Sequence, residues 1–173
     1  GHSLAYRAYF AMANTPLSID NANGEKELTG AVFAFTNMLL KVWKDEKPDY
    51  IAVAFDVGKT FRDDLYAEYK GTREKMPVEL RTQMERITQL VEAFNMPLLA
   101  MEGYEADDVI GTIAPQAEAQ NVDVRIVTGD RDILQLLTEH VSVQLPRKGE
   151  TDVVYDVAKF REEYELEPWQ LVE

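Results

Sequence analysis

Two strand-length runs, each closed by acidic residues, constrain this chain more than any other feature. Tyr50-Ile51-Ala52-Val53-Ala54-Phe55 is continuously apolar and stops at Asp56. Unbroken rather than alternating apolarity predicts a strand buried on both faces, as in a parallel α/β sheet. The second run, Val122 to Thr128, leads into Gly129-Asp130-Arg131-Asp132 and then the helical Ile133-Leu134-Gln135-Leu136-Leu137. Open α/β folds place ligands at the C-terminal ends of such strands. The plainer reading of Asp56 is a turn, since Gly58 follows. Asp130 and Asp132, two acids at one strand-to-helix turn, are more than a cap requires.

A third acidic group follows the short strand Leu98-Leu99-Ala100. In Gly103-Tyr104-Glu105-Ala106-Asp107-Asp108, three carboxylates fall within four positions. They stand at the mouth of a run in which Ala106, Val109, Ile110, Ile113 and Ala117 recur at helical spacing. Acids suit a helix N-terminus through the dipole alone. A metal site is the sharper reading: Glu105 and Asp108 share a face, and hard divalent cations take carboxylate oxygens. Pro115 within this helix should kink or shorten it.

The other segments complete an alternating pattern. Leu4 to Met12 reads as a short helix or turn with Arg7 in apolar company, and Asn14 to Lys26 reads as a loop. Thr29 to Trp43 is a helix striped by Val32, Phe35, Leu39 and Val42, with Thr29 as N-cap. Pro77 opens another, striped by Leu80, Met84, Ile87, Val91 and Phe94. Val141 to Leu145 and Val153 to Tyr155 form a hairpin, and Asp156 caps a last helix over Val157 to Tyr164. Alternating strands and helices predict an α/β domain with a mainly parallel central sheet flanked by helices. Asp56, Glu105, Asp107, Asp108, Asp130 and Asp132 then face one crevice. So many like charges together require cations.

Charge complicates the choice of partner. Lys and Arg number 18 against 31 Asp and Glu, a net charge of −13, which by itself argues against nucleic acid. The stretch Lys59 to Lys75 is the exception. It carries Lys59, Arg62, Lys70, Arg73 and Lys75 against four acids, interleaved with Phe61, Tyr66 and Tyr69. Basic and aromatic residues together suit a phosphate backbone and stacked bases, although a solvated surface loop has the same composition. There is no cysteine, which excludes disulfide and zinc–thiolate folds and fits a reducing, cytosolic compartment. No stretch reads as membrane-spanning and no signal peptide opens the chain. The absence of a Walker-type loop counts against an acidic nucleotide binder.

The motifs Gly-His-Ser-Leu-Ala-Tyr-Arg, Ala-Phe-Asp…Thr-Phe-Arg, Glu-Tyr-Lys-Gly-Thr-Arg, Gly-Tyr-Glu-Ala-Asp-Asp-Val-Ile-Gly and Val-Thr-Gly-Asp-Arg-Asp-Ile-Leu-Gln-Leu occur in this order. In them the sequence strongly resembles the 5′–3′ exonuclease (flap endonuclease) domain of bacterial DNA polymerase I and its stand-alone and phage relatives. The resemblance covers essentially residues 1–173. It implies one PIN-like nuclease domain hydrolysing DNA at 5′ ends and flaps in replication and repair, with a helical arch or gateway over about 59–86. Asp56, Glu105, Asp107, Asp108, Asp130 and Asp132 match the family's metal acids, which implies a two-metal Mg²⁺ site with Mn²⁺ as the alternative. Lys70 and Arg73 match the arch's basic residues, Lys70 neutralising developing phosphate charge. With Asp107 and Asp130 they form the implied catalytic set. Arg7, Lys59, Arg62, Tyr69, Lys70 and Arg73 are the implied DNA contacts. The implied setting is cytoplasmic and nucleoid-associated, compatible with a polymerase fused in the parent protein.

Two family features are absent from this sequence. One is an Asp ending a first central strand immediately before Gly-His-Ser. The other is a Gly-Asp-x-x-Asp-Asn segment with a helix–hairpin–helix element beyond the equivalent of Glu173. The expectation is therefore a fragment of the nuclease domain, lacking the first strand and the C-terminal region. The rival reading is a catalytically incomplete DNA-binding fragment.

Overall fold

The computed structural model describes residues 1–15, 17–66, 76–147 and 152–171. The chain divides into two compact units, Gly1–Glu105 and Ala106–Glu173, so the division falls inside the acidic Glu105-Ala106-Asp107-Asp108 motif.

The first unit is built on three helices: α1 (His2–Ala11), α2 (Gly30–Glu46) and α4 (Val78–Ala93), with the short α3 (Phe61–Leu65) between α2 and α4. Their apolar faces meet in one core. Ala5 and Ala8 of α1 pack with Ala31 and Phe35 of α2 and with Leu80, Ile87 and Val91 of α4. The small Ala side chains let α1 lie close to its neighbours. Strands β3 (Val53–Ala54) and β4 (Leu98–Leu99) pair in parallel beside this core, with Val53 opposite Leu98 and Ala54 opposite Leu99. The regular strand is shorter than the apolar run: Val53, Ala54 and Phe55 are buried, but Tyr50 is 83 % exposed. The segment read as a loop contains an antiparallel pair, β1 (Ser18–Asp20) with β2 (Lys26–Leu28), turning through Gly24. Its strands are polar and largely exposed, so no apolar pattern announced them. The Asn21 side chain holds the turn, accepting from the Asn23 and Glu25 amides at 2.9 and 3.0 Å.

Thr29 occupies the N-cap of α2 without a side-chain cap bond. The cap comes from elsewhere. Gln83 of α4 is 2 % exposed, and its Oε1 accepts the Ala31 amide at 2.7 Å. Its Nε2 donates to the Glu79 carbonyl at 3.0 Å, so both ends of the buried amide are satisfied.

The second unit is an α/β layer. β5 (Val124–Val127) pairs in parallel with β6 (Val141–Leu145), and β6 pairs antiparallel with β7 (Val153–Tyr155), giving the order β5-β6-β7. Helices α5 (Ala106–Glu118) and α6 (Val157–Tyr164) accompany this sheet. Ala114, Ile126, Ile133, Leu134, Val141, Val143, Tyr155 and Phe160 form its core. α5 runs unbroken through Pro115, against the expected interruption. The carbonyl four residues back, which a proline ring crowds, belongs to Gly111, the least obstructed residue type. Asp156 caps α6 as its position implies, accepting from the Lys159 amide at 2.8 Å. Among the described residues the strands form three small sheets. Both crossover pairings, β3 with β4 and β5 with β6, are parallel. No helix among the described residues is long and apolar enough to cross a membrane.

Gln83→Met keeps the volume but removes the acceptor for Ala31. It should lower stability by about 1–3 kcal/mol, the cost of stranding a buried donor, read from denaturant midpoints. An unchanged midpoint would mean that α2 is capped otherwise. His140 Nδ1 lies 2.7 Å from Asp123 Oδ1, and this hydrogen bond raises the His140 pKa above its ordinary 6.5. A raised folded pKa gives stability that is complete below the unfolded value and is lost as pH rises through the folded one. Wild type should therefore lose midpoint relative to Asp123→Asn on passing from pH 5.5 to pH 8.5. Parallel profiles would contradict this.

Candidate metal centre and nucleic-acid surface

In the first unit the parallel pairing outlasts the regular strands. The Phe55 amide donates to the Leu99 carbonyl at 2.9 Å, and Thr60 bridges Gly103 in parallel, with the Phe61 amide reaching the Gly103 carbonyl at 2.9 Å. Asp56 and Glu105 therefore stand on segments held side by side past the C-terminal ends of β3 and β4. Gly103 has φ +85°, a conformation costly for residues with a Cβ, although a Cβ there would meet nothing within 4 Å. Its constraint is conformational rather than steric. Asp56 is exposed and Glu105 half-buried. His2 Nδ1 lies 3.1 Å from Asp56 Oδ2 and 3.2 Å from the Asp56 amide nitrogen. Sequence reasoning gave His2 no role. Its only signal was membership of the Gly-His-Ser motif.

The expected nucleic-acid residues divide by location. Lys59 is exposed on the segment that leaves β3. The Arg62 guanidinium lies over the Phe61 ring at 4.6 Å, and Phe61 meets Tyr104 with ring centroids 5.6 Å apart. Arg7 is half-buried in α1 and makes no hydrogen bond or ion pair among the described residues. Tyr69, Lys70 and Arg73, and with them the middle of the expected arch, lie outside the described residues.

In the second unit Asp107 and Asp108 occupy the first turn of α5, Asp107 exposed and Asp108 half-buried. Asp130 follows β5. Its amide donates to the Thr128 hydroxyl at 3.1 Å, and its Oδ1 accepts the Asp132 amide at 3.1 Å. That turn fixes the Asp130 carboxylate through one oxygen. Its Oδ2 and both carboxylate oxygens of Asp132 accept no hydrogen bond among the described residues. Arg131, between them, is drawn instead to the Tyr164 hydroxyl at 3.1 Å. The six expected acids thus divide between the units, Asp56 and Glu105 in the first and the other four in the second. Among the described residues no three His, Asp or Glu side chains come together as a metal-holding group. The donor chemistry fits a hard divalent cation: all six are carboxylates, and those of Asp130 and Asp132 retain open lone pairs.

The α/β core with acids at the ends of its parallel strands defines a fold seen in solved nucleases. Bacteriophage T5 5′-exonuclease with bound zinc superposes with a TM-score of 0.70 at 20 % identity, covering 99 % of this chain and 61 % of that one. The T5 D15 flap endonuclease in a pseudo-enzyme-product complex with DNA and metal ions superposes with a TM-score of 0.68 at 21 % identity, again covering 99 % and 61 %. The chain belongs to the 5′–3′ exonuclease family, matching its N-terminal resolvase-like domain over residues 1–165. It is 53 % identical to DNA polymerase I of Chloroflexus aurantiacus over 177 residues, covering 100 % of this chain and 18 % of that protein. The corresponding figures for DNA polymerase I of Bacillus subtilis are 45 % over 175 residues, 100 % and 19 %. The chain thus spans about a fifth of the length of these relatives.

Gly103→Ala should destabilise the first unit by about 1–2 kcal/mol, the cost of the left-handed region for a residue with a Cβ. Thermal melts read this directly. A neutral substitution would show that the turn relaxes out of its positive φ.

Proposed function

We propose that this domain is a divalent-metal-dependent 5′–3′ exonuclease and structure-specific flap endonuclease acting on DNA, with Mg²⁺ as the working ion. One observation carries the reading: in a chain of this family, Asp130 and Asp132 close a parallel strand with three carboxylate oxygens, Oδ2 of Asp130 and both of Asp132, that accept no hydrogen bond among the described residues. Asp56, Glu105, Asp107 and Asp108 complete the proposed ligand set for two cations. Those cations, when bound, supply Lewis-acid polarisation of the scissile phosphate and stabilise both the attacking and the leaving oxygens. The Asp130 turn keeps its carboxylate in one orientation, so little reorganisation accompanies cation binding.

The remaining residues act on the nucleic acid. Residues 59–86 are the proposed arch over a single strand within a domain that spans 1–173. From it Lys70 and Arg73 neutralise phosphate charge at the point of cleavage, while Tyr69 stacks on a base. Arg7, Lys59 and Arg62 contact the backbone, and the guanidinium of Arg7, which makes no hydrogen bond or ion pair among the described residues, suits a phosphate. In this reading DNA with 5′ ends or flaps is the substrate, a polymerase is the fused neighbour, and the setting is the cytoplasm at the nucleoid. The chain's net charge of −13 makes the cations a condition of DNA binding near the acids.

Cleavage of a labelled 5′-flap duplex tests this. Mg²⁺ should support it, EDTA should abolish it, and the Asp130→Ala substitution should abolish it with DNA binding largely retained. Lys70→Ala should slow cleavage about 10²–10³-fold, the usual loss for a group facing transition-state charge, with metal affinity unchanged. DNA binding without cleavage under every condition would overturn the reading in favour of a catalytically incomplete binding fragment.

A further inference from the structure

We propose that Tyr104 stacks on an unpaired base of the DNA strand, an inference that rests on the DNA-cleaving reading above. Its ring is 46 % exposed and meets the ring of Phe61, itself 40 % exposed, with centroids 5.6 Å apart and planes tilted by 59°. The two rings come from different segments, and the backbone brings them together. Buried Thr60 bridges Gly103 in parallel, and the Phe61 amide donates to the Gly103 carbonyl at 2.9 Å. The Tyr104 amide closes its own turn on the Met101 carbonyl at 3.1 Å. The Arg62 guanidinium lies 4.6 Å from the centre of the Phe61 ring. Phe61 therefore contacts both side chains, while nearly half of Tyr104 stays in water.

The surrounding charge selects a base rather than a phosphate for this ring. Tyr104 immediately precedes Glu105, and Asp56 stands on the neighbouring segment, so a phosphate brought to the ring would meet carboxylates of like charge. A nucleobase carries no charge and offers a flat π-face to an exposed aromatic side chain. Lys59 and Arg62, on the segment that carries Phe61, supply positive charge for the phosphates that flank such a base. Inside a duplex both faces of a base are taken by its neighbours, so the stack requires an unpaired nucleotide. It anchors the single strand beside the proposed metal acids through the uncharged part of the nucleotide.

Fluorescence anisotropy in Mg²⁺ tests this, with a melting midpoint for each protein. The parent is the Asp130→Ala chain, in which cleavage does not compete with binding, and Tyr104→Leu and Tyr104→Phe are made within it. Leu keeps apolar bulk without the ring; Phe keeps the ring. The ligand is a 5′-flap duplex, either intact or with one abasic site placed at each position in turn. The parent should lose about 5–100-fold in affinity at one unpaired position, the worth of one base–aromatic stack. Tyr104→Leu should bind the intact flap more weakly by a similar factor, at a near-parental midpoint, and be indifferent to that abasic site. Tyr104→Phe should behave as the parent. Each intact-to-abasic comparison is made within one protein, so a lowered midpoint does not enter it. Independent losses from the two changes, no sensitive position in the flap, or sensitivity only within the duplex would overturn the stack and leave the metal-dependent reading intact. Failure of the parent to bind the intact flap would overturn both.

Discussion

Parallel pairing of short strands is the constraint on which the rest depends. Two parallel strands end on the same edge, so whatever follows each strand is delivered to the same side. In the first unit the pairing is carried by very few bonds: Val53 and Phe55 donate to Pro97 and Leu99, and the Thr60–Gly103 bridge resumes it. Val53 and Phe55, which make these bonds, are buried in the core with the helices. The core therefore fixes the edge, and the edge carries Asp56 and Glu105. In the second unit the β5–β6 pairing does the same for Asp130.

The electrostatics follow from that placement. Among the described residues Glu27 pairs with Arg86 at 2.7 Å, Glu167 with Arg161 at 2.8 Å and Asp123 with His140 at 2.7 Å, while at the end of β3 Asp56 meets His2 at 3.1 Å. Solvent-screened pairs of this kind add little to stability. The basic residue nearest the Asp130 turn in sequence, Arg131, is held by Tyr164 instead. The Asp130 carboxylate, oriented by the Asp132 amide and paired with no basic side chain among the described residues, suits an exogenous cation.

Much of this was legible in the sequence. Apolar periodicity located α2 and α4, Asp156 announced α6, and turn chemistry marked the β6–β7 hairpin, because each signal is local. The acidic strand ends were legible for the same reason. What escaped was non-local or unpatterned. The β1–β2 pair is polar and exposed, so it carries no alternation. The α2 cap is Gln83, more than fifty residues away, and a sequence reading assigns that job to Thr29. Pro115 was read as an interruption, yet it sits inside a continuous helix. Nothing in sequence spacing pairs His2 with Asp56, since their meeting depends on how α1 docks against β3.

The central claim is that the strand-end carboxylates hold divalent cations. Anomalous diffraction from crystals grown with Mn²⁺ tests it most directly. The account predicts density within coordination distance of Asp130 and Asp132, with the Asp130 turn unchanged. Crystals that take up Mn²⁺ only at surface pairs, leaving Asp130 and Asp132 without an ion, would contradict it.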